Sequence, residues 1–203
     1  MSSDARQSVA VVGGGWAGLA AAVRAVQLGM NVTLYEMAPE LGGRARSSRI
    51  GDLVLDNGQH LLIGAYRDTL ALMTTVGVDL SSALARMPLT LVNSDGVGLR
   101  LPLGHPSVAF LRGVMAANHW PMPHRLRLLA LALRWRLKGF RCDPSATVED
   151  LTRSLPDSVC RDLIAPLCVA ALNTPASQAS GRVFLRVLRD ALFGGRGASD
   201  ALL

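Results

Sequence analysis

The chain has 203 residues, 50% of them hydrophobic and 18% charged, enough apolar material for a buried core and too little charge for a disordered chain. Its net charge is +6, from 21 basic and 15 acidic residues; Lys138 is the one lysine beside 20 arginines, and such a surface suits nucleic acid, a membrane face or anionic ligands. Cys142, Cys160 and Cys168 are an odd number without CxxC spacing, which argues against a disulfide framework or a zinc site and favours a reducing, cytoplasmic compartment. Aromatics are 4%, so the core is expected to consist of Leu, Val and Ala. The uncharged run 7–23 is broken by glycines, so no membrane-spanning or secretory segment is read there.

Residues 8–12 (SVAVV) form a β-branched apolar run, the pattern of a parallel strand buried on both faces. Gly13-Gly14-Gly15-Trp16-Ala17-Gly18 follows directly. Leu19, Ala22, Val23 and Val26 then recur on one helical face, with Gly29 as the stop. Residues 32–36 (VTLYE) read as a second strand ending in an acid, which completes a βαβ opening.

Gly13, Gly15 and Gly18 fit G-x-G-x-x-G, and Glu36 comes 23 residues after Gly13. Set between a strand and a helix, this spacing points to dinucleotide binding. Gly13 permits the tight turn, Gly15 lets the backbone approach a pyrophosphate, and Gly18 lets the helix pack close to the strand. The first helical N–H groups, around Trp16 and Ala17, offer partial positive charge to the phosphates. Glu36 can accept hydrogen bonds from an adenosine ribose, and its charge disfavours a 2′-phosphate.

After a five-residue gap Glu36 is followed by Gly42-Gly43-Arg44. That combination resembles the flavoprotein family of amine oxidases, phytoene desaturases and protoporphyrinogen oxidases. The resemblance implies FAD as the dinucleotide, with Gly43 and Arg44 along its pyrophosphate and ribityl chain. Close backbone approach at the glycines and charge neutralisation by the arginine are the physical counterparts.

Residues 49–55 read as a hairpin bent at Gly51-Asp52, and 56–60 (DNGQH) break the strand. Tyr66, Leu70 and Met73 resume helical spacing up to Gly77. In the same flavoprotein family the segment after such a strand passes beside the flavin ring. The resemblance thus implies that Gly58 gives the ring room and that Gln59 or His60 supplies polar contacts; a loop histidine bonded to backbone is the alternative for His60. The stretch 56–66 also resembles, more narrowly, the squalene-associated FAD-dependent desaturases, the hydroxysqualene dehydroxylase family. So do 167–175 (LCVAALNTP) and 180–184 (SGRVF), continuing to Phe193-Gly194-Gly195. This narrower resemblance implies a lipophilic isoprenoid substrate. Hydroxysqualene would lose its hydroxyl and gain a hydride from reduced flavin, giving squalene for hopanoid or other triterpenoid synthesis. No residue is identified as the proton donor for the departing hydroxyl, so no catalytic residue is assigned, and no metal ligand.

Residues 89–101 read as a hairpin around Asp95-Gly96, with His105 and Pro106 in a following turn. Residues 125–138 alternate Arg and Leu as an amphipathic helix. Such a helix either covers a soluble helical domain, with Arg stems over apolar surface, or lies in a membrane interface. No nucleic-acid motif accompanies the charge. Thr147 opens a helix with acids in its first turn, and 157–163 is a short helix limited by Pro166. Val183, Phe184, Val187, Leu188, Ala191 and Leu192 share a face of a helix that Gly194-Gly195 ends. Cys168 is either a small core residue or a pocket wall.

The expected fold class is α/β: a Rossmann-type βαβ FAD-binding domain over 1–80, then a mainly helical substrate domain with a small β-hairpin over 81–203. Two parallel strands are too few for a doubly wound sheet, so the chain is expected to be the N-terminal part of a longer enzyme that by itself holds FAD poorly. Its expected place is the cytoplasm, with peripheral contact to the inner membrane face as an addition. The rival readings are a carotenoid desaturase or amine oxidase-like flavoenzyme, and an inactive truncated flavoprotein.

Overall fold

The computed structural model describes residues 6–56, 61–93 and 95–203, and it divides at residues 60 and 61 into two compact units. In the first unit β1 (Ser8–Val12) pairs in parallel with β2 (Asn31–Tyr35), from Ser8 opposite Asn31 to Val12 opposite Tyr35. The crossover is α1 (Trp16–Gln27), which packs on both strands. Val9, Val11, Val32 and Leu34 are half-buried, whereas the alternate residues are exposed, Val12 at 86%. β1 is therefore covered on one face, not on both as its apolar run suggested. The run reports β-branched content, but burial depends on what packs against each face, and here that is one helix. A 3-10 turn over Gly43–Ala45 and an antiparallel hairpin of β3 (Ser47–Ile50) and β4 (Leu53–Asp56) complete the unit. Gly51 bends the hairpin at φ +62°.

The second unit begins with β5 (Leu62–Ile63), α2 (Arg67–Thr75), α3 (Leu80–Ala83) and β6 (Arg86–Met87). An antiparallel hairpin follows, β7 (Leu89–Val92) with β8 (Gly98–Leu101). The helical part comprises α4 (Pro106–Ala116), α5 (Met122–Leu137), α6 (Val148–Thr152), α7 (Asp157–Val159), α8 (Ala165–Leu172) and α9 (Gly181–Leu192). Finally β9 (Ala201–Leu202) runs antiparallel between β5 and β6. This sheet was not legible as sequence, because two-residue strands show no period. It also draws residues 61–80 into the second unit: Leu62 and Ile63 pair with Leu202 and Ala201, and the Gly64 N–H donates to the Asp200 carbonyl at 3.0 Å.

The core of this unit joins Trp120, Trp135, Phe110 and Phe184 to Leu128, Val114, Val148, Val159, Leu185 and Cys168. Aromatics are few, yet these four stand at its centre, contrary to a core of Leu, Val and Ala alone. Pro106 is the first residue of α4, with His105 as N-cap, rather than part of a free turn. Thr147 and Asp150 form a reciprocal capping box at α6. Pro166 does not end its helix. A π-helical turn over Cys160–Ile164 joins α7 to α8, and Pro166 sits in the first turn of α8. The wider turn removes the clash a proline ring makes with the carbonyl four residues back. On α9 the buried face includes Leu185, absent from the predicted stripe, while Val183 is exposed.

Phe184 is fully buried, so Phe184→Ala should cost about 3–5 kcal/mol of stability, read as a lower denaturant midpoint. Leu126→Ala, on a solvent-facing site, should stay within about 0.5 kcal/mol.

Candidate functional site

Where β1 ends the chain reverses at once. Gly13 makes the reversal at φ +99°, a left-handed conformation open to glycine, and its N–H donates to the Tyr35 carbonyl at 2.7 Å. Gly15 is the N-cap of α1 and offers no side-chain cap. The first helical bond runs from the Leu19 N–H to the Gly15 carbonyl at 2.9 Å. The N–H groups of Trp16, Ala17 and Gly18 thus have no carbonyl partner within the helix, and no acid lies in this turn. A Cβ at Gly18 would collide with the Gly13 carbonyl oxygen, so this glycine sets how closely α1 approaches the loop.

Glu36 stands one residue beyond β2. Its Oε2 accepts the Gly14 N–H and its Oε1 accepts the Ala38 N–H at 2.8 Å. These donors, Ala38 first and then Gly14, hold the carboxyl below the ordinary glutamate range against a smaller opposing effect of desolvation. The side chain thereby ties the end of β2 to the glycine loop, and each oxygen keeps a second lone pair. Sequence reasoning assigned Glu36 to a ribose alone. No local pattern links an acid to an amide 22 positions earlier; the βαβ crossover makes them neighbours.

The second glycine motif lies against the first. The Gly42 N–H donates to the Gly14 carbonyl at 2.8 Å, and Gly15 and Gly42 form an isolated parallel bridge. A Cβ on Gly43 would come within 3.2 Å of the Gly15 Cα, and one on Gly14 would strike the Leu41 side chain. The missing side chains of Gly15 and Gly43 thus let the two glycine loops pack backbone against backbone beside the open start of α1, while Gly14 is buried beneath Leu41 and Glu36. Arg44 sits in the adjoining 3-10 turn with its side chain exposed, as are Trp16 and Ala17. Gly58, Gln59 and His60, the expected ring contacts, lie outside the described residues.

In the second unit a recess of about 600 Å³ is lined by Leu70, Leu80, Ser81, Leu84, Ala85, Arg86 and Leu202. Cys168 is a core residue: its thiol donates to the Thr174 carbonyl at 3.3 Å, and burial pushes its pKa up. Among the described residues no cluster of His, Cys, Asp and Glu could hold a metal, and no helix is long and apolar enough to cross a membrane.

Residues 11–76 match the NAD(P)-binding Rossmann-like domain family. A hydroxysqualene dehydroxylase of Zymomonas mobilis is 28% identical over 194 residues, 91% of this chain and 44% of that protein. A chloroplastic/chromoplastic zeta-carotene desaturase of Arabidopsis thaliana is 30% identical over 150 residues, 70% of this chain and 26% of that protein. Among solved structures, an oxidoreductase of Methanosarcina mazei superposes with a TM-score of 0.65 at 14% identity, over 97% of this chain and 45% of that one, a likeness of fold. The chain spans less than half the length of these curated relatives.

Two outcomes check this geometry. Gly18→Ala should destabilise the first unit by about 1–3 kcal/mol, because the added methyl must displace the Gly13 carbonyl; hydrogen exchange of the α1 amides would report it. The stability contributed by Glu36 is fully present above the ordinary glutamate value of 4.5 and is lost as the pH falls through the lower folded value. The Gly14 and Ala38 amide signals should accordingly share one acid transition below 4.5, and Glu36→Gln should abolish it.

Proposed function

We propose, from the premise that this chain belongs to the amine oxidase and desaturase family of flavoproteins, that its chemistry is that of an FAD-dependent oxidoreductase acting on a lipophilic isoprenoid. The observation that carries the reading is the uncapped, acid-free N-terminus of α1, set where the two glycine loops pack backbone against backbone. A pyrophosphate suits such a helix start, because the first amides of α1 lack a carbonyl partner within the helix and the dipole favours negative charge there. In this reading the amides of Trp16 and Ala17 hold the phosphates and Arg44 offsets their charge. Glu36 uses its remaining lone pairs on a ribose. FAD, when bound, supplies the hydride chemistry. The protein's part is to orient the substrate and keep water from the reacting centre.

Reductive removal of a hydroxyl from hydroxysqualene is the finer proposal. It is supported by the extent of the match to the Zymomonas protein, which takes in the helical unit as well as the glycine loop. The zeta-carotene desaturase match supports a second reading in which hydride leaves the substrate instead. The free thiols accord with a cytoplasmic setting.

FAD titration followed by flavin fluorescence should show weak but saturable binding. Glu36→Arg, which replaces an acceptor with a donor-only cation, should weaken it at least about tenfold, or roughly 1.4 kcal/mol. Saturable NADP binding with no response to FAD would overturn the cofactor assignment. Product analysis separates the two substrate readings: squalene formed from hydroxysqualene by the enzyme loaded with chemically reduced flavin supports the first, and a newly conjugated polyene formed from a carotene by the enzyme loaded with oxidised flavin supports the second.

A further inference from the structure

Helix α5 is apolar on two opposite faces. Leu128, Leu131, Ala132 and Trp135 are buried in the core of the second unit. On the other side Met122, Leu126, Leu133 and Leu137 are 46%, 54%, 55% and 79% exposed, and Ala130 is exposed between them. At about 100° per residue these positions fall within a sector of about 80°, a continuous stripe along the helix. Arg127, Arg134 and Lys138 border the stripe on one side. Arg136 borders it on the other, its guanidinium 5.9 Å from the centre of the Phe193 ring.

The charge around the stripe has one sign. From residue 96 to residue 142 the chain contains eight Arg and Lys residues and no Asp or Glu. Arg125 is the exception to their exposure: it is buried and donates to the carbonyls of Trp120 and Met115, both at 2.8 Å. The other seven are exposed. Two occupants of this face are disfavoured on chemistry. A second copy would set cation against cation, and a nucleic acid would leave the leucines in water. A bilayer with anionic headgroups satisfies both features at once, taking the leucines into its acyl boundary and the arginines among its phosphates. The geometry is in-plane, since no described helix can span a membrane.

We propose that the solvent-facing stripe of α5 docks this protein on a bilayer containing anionic lipid. The face does not involve the nucleotide site, so its test needs neither flavin nor turnover and stands apart from the proposed activity. The full chain would be sedimented with vesicles of phosphatidylcholine alone and of phosphatidylcholine with phosphatidylglycerol. Binding should be restricted to the anionic vesicles and should fall at least about tenfold between low and high salt, as screening shortens the reach of the charges. Leu126→Gln with Leu133→Gln should lose about tenfold on the anionic vesicles at low salt, and Arg127→Gln with Arg134→Gln a comparable amount. Because all four side chains face solvent, circular dichroism should show the fold unchanged; Leu137→Gln alone, at the most exposed position, is the milder variant. Absence of vesicle binding, equal binding at both salt concentrations, or leucine variants that bind like the wild type would each overturn the proposal, the last by showing charge-only adhesion.

Discussion

Helix α1 lies against the first loop at a separation that a glycine at position 18 alone permits, because a methyl there would occupy the space of the Gly13 carbonyl oxygen. That close approach brings the open end of the helix directly over the end of β1. Gly13 then reaches the Tyr35 carbonyl, and the Gly14 N–H reaches Glu36. With Glu36 bound in this way, Ala38 is held as well, and the chain returns so that Gly42 bonds Gly14. The packing of the two glycine loops beside the helix start is a consequence of one absent side chain followed by a chain of hydrogen bonds, each of which satisfies a backbone group left over by the turn.

The second unit is closed by a different device. Asp200 is buried, and its carboxylate meets Arg86 Nη1 at 2.7 Å. A carboxylate taken out of water is costly unless paired and hydrogen-bonded. The register in which β9 lies between β5 and β6 is the one that provides this partner. Gly64 contributes the close approach, since a Cβ there would collide with the Gly197 carbonyl. The recess walled by Leu70, Leu84 and Leu202 exists because β9 is held in this place.

The two proposals rest on different parts of the chain and on different physics. Nucleotide binding draws on backbone amides and a helix dipole, which are directional and need a rigid loop. Membrane docking draws on an apolar stripe and like charges, which need a stable helix behind them. Arg125 provides part of that support by joining the end of α4 to the start of α5. A lipophilic substrate and a lipid surface would be a coherent pair of partners, since the substrate has low solubility in water.

How much was legible beforehand follows the range of each interaction. The βαβ opening, the hairpin bends at Gly51 and Asp95-Gly96, the cap at Thr147 and the stop of α9 are decided by neighbours along the chain, and periodicity and turn chemistry report them. The glycine spacing likewise foretold a turn at Gly13 and a close helix at Gly18, because backbone sterics at those positions are local. The sequence alone thus determined the class of fold and the kind of ligand to seek. Only the tertiary structure decided which face of β1 is covered, that Glu36 bonds Gly14, that Arg125 is buried while Leu126 is not, and that residues 62–63, 86–87 and 201–202 form one sheet. Those outcomes are set by partners far away in the chain, whose positions are fixed when the units pack.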